Sequence, residues 1–188
     1  AMAERQVTIG NTTYLLPKLF LVMATQNPIE QEGTYPLPEA QLDRFLMYVK
    51  IDYPSFDAEK QILKIAEQEA LHEILKLSHP LNEKTLLISQ HDIFEARKAV
   101  LNTYISKPLE EYLVQLVIAT RQPQKYDEIL ASYIAFGASP RGTIALSRVA
   151  KAHAFLSGRD YVSPSDIHEV IFDVLRHRII LSLEAQAE

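Results

Sequence analysis

The hydrophobic pattern of the 188-residue chain changes once, at the Tyr53-Pro54 pair. Before that pair, apolar residues alternate with polar ones or run continuously, which is typical of β-strands. After it, apolar residues recur every three or four positions, as in amphipathic helices. The change predicts a fold in two parts, an α/β part over residues 1–53 and an all-helical part over residues 54–188.

The first part contains a predicted hairpin followed by a strand–helix–strand unit. Residues 6–15 alternate around a turn at Gly10, which favours a hairpin. The apolar run over 19–24 predicts a buried strand, residues 39–45 a short helix and residues 46–51 a second strand. Such a βαβ unit belongs to a larger parallel sheet, which two strands and a hairpin cannot complete. We therefore expect the chain to begin in the middle of a domain.

The second part is predicted to be a four- or five-helix bundle. Ser89 with Asp92, and Ser163 with Asp166, have the spacing of a capping box at a helix start. Gly158 is placed to end a helix in the left-handed conformation. The helices are expected to begin near residues 57, 89, 108, 139 and 163.

Composition excludes several classes of function. The chain has no cysteine, so disulfides, zinc–thiolate sites, iron–sulfur clusters and thiol nucleophiles are excluded. Its net charge of −5 argues against nucleic-acid binding driven by bulk charge. None of its 5 glycines lies in a GxxxxGK[ST] or GxGxxG loop, so the chain alone cannot be a complete phosphate-loop enzyme. Lacking a long apolar run or a secretory signal, it is expected to be cytoplasmic.

Asn27 directly follows the predicted strand over 19–24. Ligands of parallel sheets bind at the carboxyl ends of strands, and an amide can orient a water or contact a phosphate without titrating. The simpler interpretation is that Asn27 begins an Asn-Pro turn with Pro28.

Two arginines are candidates for binding an anion. Arg44 ends the short predicted helix, although a surface ion pair with the adjacent Asp43 is the simpler interpretation. Arg141 lies in the first turn of the helix that begins at Ser139, where the helix dipole disfavours a cation. An anionic ligand or a nearby acid would explain its position equally well.

Other candidates are weaker. The six histidines show no metal-ligand spacing, and Glu30 and Glu32 form an ordinary polar loop. Tyr126, Tyr133 and Phe136 have the spacing of a helix core. No metal site is predicted within the chain.

Four segments together resemble the MoxR family of AAA+ ATPases. They are FLVMATQNP over 20–28, ExEGTYPLPEAQLDRF over 30–45, GASPRG over 137–142 and GRDYV over 158–162. The resemblance extends in order over essentially the whole chain. It implies the C-terminal part of an AAA+ α/β core followed by the helical lid domain.

The resemblance also implies roles for the three polar candidates. Asn27 matches sensor 1, which orients the attacking water or contacts the γ-phosphate, and Arg141 matches sensor 2 on the lid. Arg44 matches the arginine finger, which acts on the nucleotide of a neighbouring subunit. The cofactors would be ATP and Mg²⁺, with the Mg²⁺ ligands expected in a part of the protein that precedes this chain, together with the Walker A and B motifs. The chain alone is therefore predicted to be inactive.

The implied function is ATP-driven, chaperone-like remodelling of protein clients by a homo-oligomeric ring, expected to be a hexamer, without nucleic acid. Family members work with von Willebrand factor A-domain proteins in maturing or inserting metal into complexes. One alternative is a related magnesium chelatase-like or DNA helicase-like motor subunit. Another is a non-enzymatic helical interaction module.

Overall fold

A computed structural model of the chain describes residues 6–26, 37–74 and 88–187. These residues divide into two compact units, one formed by residues 1–48 and 90–188 and the other by residues 49–89. The helices are α1 (Glu39–Leu42), α2 (Phe56–Ile74), α3 (Gln90–Asn102), α4 (Lys107–Arg121), α5 (Glu128–Tyr133), α6 (Pro140–Leu156), α7 (Pro164–Leu175) and α8 (Leu183–Ala187). The strands are β1 (Gln6–Ile9), β2 (Thr12–Leu15), β3 (Ile134–Phe136) and β4 (Ile180–Leu181).

The predicted hairpin is confirmed. Strands β1 and β2 pair antiparallel, with Val7 opposite Tyr14 and Ile9 opposite Thr12. Gly10 has a φ of +59°, the left-handed conformation that a tight turn between two strands requires.

The predicted strands at 19–24 and 46–51 are not present, and neither is a parallel sheet in the described part of the chain. A strand exists only through hydrogen bonds to a neighbouring strand, and no described strand borders either segment. The backbone near the second segment binds a helix instead, because the Tyr48 N–H donates to the Asp173 carbonyl at 2.7 Å. The prediction of strands at these two segments is therefore wrong for the described structure, because neither has the neighbouring strand that it would need.

The core of the larger unit is helical, as predicted. It forms where α4, α6 and α7 meet, and these helices contribute Val117, Leu146 and Val174, each of them fully buried. Helix α4 begins at Lys107 with a proline in its first turn, as the position of Pro108 predicts. The helices were predicted from local signals such as Pro108, and the structure has helices where those signals lie.

Helices α6 and α7 begin where their caps predict, and α6 also ends where predicted. The Ser139 hydroxyl accepts from the Arg141 N–H at the start of α6. Helix α7 begins with the predicted capping box of Ser163 and Asp166. Gly158 follows α6 with a φ of +73°, as expected for a glycine that ends a helix.

A small two-stranded sheet interrupts the helical part. Strand β3 pairs antiparallel with β4, with Ile134 opposite Leu181. The prediction that Tyr126, Tyr133 and Phe136 form a helix core is wrong, because Phe136 lies on β3 and is 67% exposed. Their spacing suits a helix, but the strand pairing with the distant C-terminal segment overrides it.

Helix α2 belongs to the smaller unit and confirms the helix predicted over 57–70. It spans 19 residues, and its apolar side chains Ile62, Leu63 and Ile65 are exposed. The predicted domain boundary at residue 54 remains a prediction.

Candidate functional site

Arg44 lies in the turn that follows α1, and its side chain is exposed. Within the described part of the chain it has no side-chain hydrogen bond or ion pair. The predicted alternative, an ion pair with the adjacent Asp43, is therefore not formed. Asp43 binds other residues, and no described residue occupies the guanidinium of Arg44.

Arg141 is the second residue of α6, and it does have a nearby acid. Its Nη1 lies 3.1 Å from Asp43 Oδ2, while 55% of its side chain remains exposed. The ion pair offsets the unfavourable position of a cation at the helix start. The structure thus places Arg141 against Asp43, the residue that precedes Arg44. Asn27, the predicted sensor 1 residue, lies outside the described residues.

The carboxylate of Asp43 is the centre of what we call the Asp43 cluster, formed by Asp43, Ser139, Arg141 and Arg178. The Ser139 hydroxyl donates to both carboxylate oxygens, at 3.0 and 2.9 Å. Arg178 Nε lies 3.3 Å from Oδ1, whereas Arg141 pairs with Oδ2. Asp43 itself is only 16% exposed. Its carboxylate is shared between the exposed Arg141 and the buried Arg178.

Arg178 fixes the turn after α1 to the end of α7. Its side chain is 2% exposed, and its guanidinium donates to the carbonyls of Phe45 and Val174. A further hydrogen bond of 3.3 Å reaches the carbonyl of Asp43. Sequence analysis missed this residue, because the Asp43 and Phe45 carbonyls that it binds lie more than a hundred positions away and no local motif marks it.

His177 lies beside Arg178 in the same region. Its Nε2 is 2.8 Å from Arg178 Nη1 and 3.3 Å from the Phe45 carbonyl, and its ring stacks on Tyr48. Burial, and next the neighbouring Arg178 charge, lower the pKa of His177 below its usual value. His177 is therefore neutral at pH 7, which leaves Arg178 and Arg141 as the cations that face Asp43.

A second carboxylate is fully buried and has several hydrogen-bond partners, and we call this group the Asp166 cluster: Asp166, Arg159, His153 and Ser163. Asp166 is fully buried and binds Arg159 through both guanidinium nitrogens, one of them at 2.7 Å. His153 Nδ1 and the Ser163 N–H each lie 2.7 Å from its oxygens. The hydrogen bonds from Arg159 hold the pKa of Asp166 far below its usual range.

The two clusters differ in what they can do chemically. The Asp166 cluster surrounds a fully buried carboxylate and connects the end of α6 to the start of α7. The Asp43 cluster presents Arg141 at the start of a long helix. The exposed Arg44 directly follows Asp43 in the sequence. Forked cations at such positions suit phosphate oxygens. Across 6–26, 37–74 and 88–187 there is no group of three His, Cys, Asp or Glu side chains that could hold a metal ion.

These features match known sequence families. Residues 1–47 match the ATPase family associated with various cellular activities (AAA), and residues 127–188 match the AAA lid domain. The chain is 46% identical to a candidate ATPase from Cytophaga hutchinsonii, whose crystal structure superposes with a TM-score of 0.82 over 98% of this chain and 53% of that one. The fold is thus that of an AAA+ ATPase, with a partial core and a helical lid.

Curated relatives narrow the class. The chain is 42% identical over its full length to Chaperone MoxR1 of Mycobacterium tuberculosis, covering 47% of that protein. It is 34% identical to Protein MoxR of Paracoccus denitrificans, with 96% of this chain and 54% of that protein covered. The chain therefore belongs to the MoxR family of AAA+ ATPases, and it spans about half the length of these relatives.

More distant relatives are magnesium-chelatase ChlI subunits, such as that of Mesostigma viride at 28% identity. No helix among the described residues is long and apolar enough to cross a membrane.

Proposed function

We propose that the chain is the C-terminal half of an ATPase that hydrolyses ATP in a Mg²⁺-dependent reaction at the interfaces of a hexameric ring. The observation that carries the proposal is the contrast between Arg44 and Arg141. Arg44 is exposed and unpaired among the described residues, as a residue acting on a neighbouring subunit must be. Arg141 is held at the start of α6, where a residue acting within its own subunit is expected.

In this proposal each residue has a distinct role. Arg44 donates to the γ-phosphate of the adjacent subunit and stabilises the charge that develops during phosphoryl transfer. Arg141 binds phosphate oxygens of the nucleotide bound by its own subunit, and Asn27 orients the attacking water. When bound, Mg²⁺ neutralises phosphate charge, and its ligands would come from the Walker motifs of the longer protein. The 188 residues contain no Walker A sequence, so the chain alone should not hydrolyse ATP.

The role of Arg44 is tested by phosphate release from the longer protein that carries this chain. Arg44→Ala should reduce kcat by a factor on the order of a thousand, the loss expected on removing an arginine finger. Mixing this variant with a Walker B variant should restore activity, because each mixed interface can combine one intact nucleotide site with one intact Arg44. Arg148→Ala is the matched control: it removes an exposed arginine of α6 and should retain full activity. A mixture that stays inactive would show that Arg44 does not act between subunits.

The client side of the function is proposed from the relatives. A chaperone-like role in remodelling or maturing protein complexes fits the name of the Mycobacterium tuberculosis relative. A von Willebrand factor A-domain partner is proposed from the family resemblance alone. A chelatase-like role is the second candidate, since ChlI subunits are similar at lower identity. Co-purification of a von Willebrand factor A-domain protein with the ATP-bound ring supports the first. Stimulation of activity by a porphyrin substrate would favour the second.

A further inference from the structure

The three donors around Asp43 differ in their freedom to leave it. Arg178 is 2% exposed and is held by backbone carbonyls at the ends of two segments. Ser139 is fixed as the cap of α6. Arg141 is 55% exposed, and its side chain has Asp43 as its one partner within the described part of the chain. Arg141 is therefore the donor that a ligand can remove.

We propose that Asp43 is a positioning residue, the internal counter-ion of Arg141 that a nucleotide phosphate displaces on binding. Without nucleotide, Asp43 holds the guanidinium at the start of α6. With nucleotide, Arg141 exchanges the carboxylate for phosphate oxygens. This inference rests on the proposed role of Arg141 as a phosphate-binding residue and adds the group with which the phosphate competes.

The surroundings of Asp43 make this exchange inexpensive. When Arg141 leaves, Asp43 keeps the buried charge of Arg178 and the Ser139 hydroxyl, so no unpaired carboxylate is created. An ion pair this exposed changes an equilibrium by about fivefold at most. A phosphate carries more charge than a carboxylate and accepts two parallel hydrogen bonds from a guanidinium, so it competes successfully.

The proposal predicts an increase in affinity on mutation. Asp43→Asn keeps an acceptor for Ser139 and Arg178 but removes the charge that competes with phosphate. In the longer ATPase, this variant should bind fluorescently labelled AMP-PNP roughly two- to fivefold more tightly than the wild type. A purely structural defect would weaken binding, so the sign of the change separates the two explanations.

A double-mutant cycle identifies the partner. Arg141→Gln should weaken AMP-PNP binding, and adding Asp43→Asn to it should change the affinity no further, because the displaced contact is already gone. Asp173→Asn is the matched control, since it removes a carboxylate paired with Arg176 on the surface of α7. It should leave the affinity unchanged.

The outcomes separate this inference from the proposed function. If Arg141→Gln leaves the affinity unchanged, the phosphate-binding role of Arg141 is wrong. If Arg141→Gln weakens binding while Asp43→Asn fails to tighten it, only the role of Asp43 is wrong. If Asp43→Asn does not fold, a cryo-EM structure of the wild type with AMP-PNP decides. The distance from Arg141 Nη1 to Asp43 Oδ2 must then exceed about 4 Å, the limit of an ion pair, and an unchanged 3.1 Å contact would overturn the proposal.

Discussion

The Asp43 and Asp166 clusters are built from the same groups, a carboxylate with arginine, serine and histidine nearby, yet their surroundings differ. Asp166 is completely buried, and its partner Arg159 is 27% exposed. Asp43 is 16% exposed, and its partner Arg141 is 55% exposed. A network around a completely buried carboxylate holds two helices in place, whereas a network with a half-exposed donor can exchange that donor for a ligand. The predictions below test whether the Asp166 cluster is structural and the Asp43 cluster exchangeable, beginning with the largest expected effect.

Asp166→Asn should cause the largest loss of stability. The change leaves Arg159 without a countercharge beside a buried site and weakens the capping box of α7. Removing one member of a buried ion pair costs about 3 kcal/mol, so the free energy of unfolding should fall by roughly that amount. Urea unfolding followed by circular dichroism measures it. Asp173→Asn, the surface control on α7, should cost less than about 1 kcal/mol, and equal losses in the two variants would contradict the division.

Gly137→Ala should perturb the Asp43 cluster through the backbone. A Cβ atom at this position would lie 2.2 Å from the Thr120 carbonyl oxygen, so the chain must shift. The segment it would displace leads into Ser139, and the Ala138 N–H bonds to the Thr120 hydroxyl at 2.9 Å. Overpacking of this kind costs about 1–3 kcal/mol in thermal or urea unfolding.

Gly10→Ala is the control for the previous variant. No atom lies within 4 Å of a Cβ at Gly10, so its cost is limited to the left-handed backbone conformation. If Gly137→Ala is as stable as the wild type, the close contact with Thr120 is not a constraint.

The features that the sequence predicted correctly are those set by residues close together in the chain. The capping box of Ser163 and Asp166 and the glycine after α6 involve residues within a few positions of one another, and each is confirmed. The structure also supports the hairpin for the same reason. The predicted strands failed because a strand depends on partners far away in sequence.

The candidate site shows the same limit. Arg141 was singled out from its position in a helix, but its partner Asp43 lies 98 positions away. Sequence identified an arginine in an unfavourable position, and only the structure supplies the acid that offsets it. Arg178 and His177 have no local signal at all, although they complete the surroundings of Asp43.

The pH dependence of stability should separate the two clusters. The pKa of His177 is lowered in the folded state, mainly by burial and next by Arg178, with Asp43 and the Tyr48 ring also facing it. The unfolded chain therefore binds a proton near pH 6.5 that the folded chain does not, and stability falls as pH decreases below that value. One group can contribute a slope of up to about 1.4 kcal/mol per pH unit.

His177→Gln should remove this decrease between about pH 6.5 and pH 5, measured as urea midpoints at several pH values. The Asp166 contribution has a separate window, because a lowered carboxyl pKa gives stability that is lost only below about pH 4. Identical profiles for the wild type and His177→Gln between pH 5 and 7 would show that His177 does not titrate as its burial indicates.

Arg141→Ala should have the smallest effect on stability. Its ion pair with Asp43 is half exposed, and Asp43 retains Arg178 and Ser139 when Arg141 is removed. The expected loss is about 0–1 kcal/mol in urea unfolding, even though AMP-PNP binding by the longer protein should weaken. These two results belong together, because a contact that phosphate must displace cannot contribute strongly to the folded state. A loss above about 2 kcal/mol would place Arg141 in the same class as Arg159, as a structural residue and not an exchangeable one.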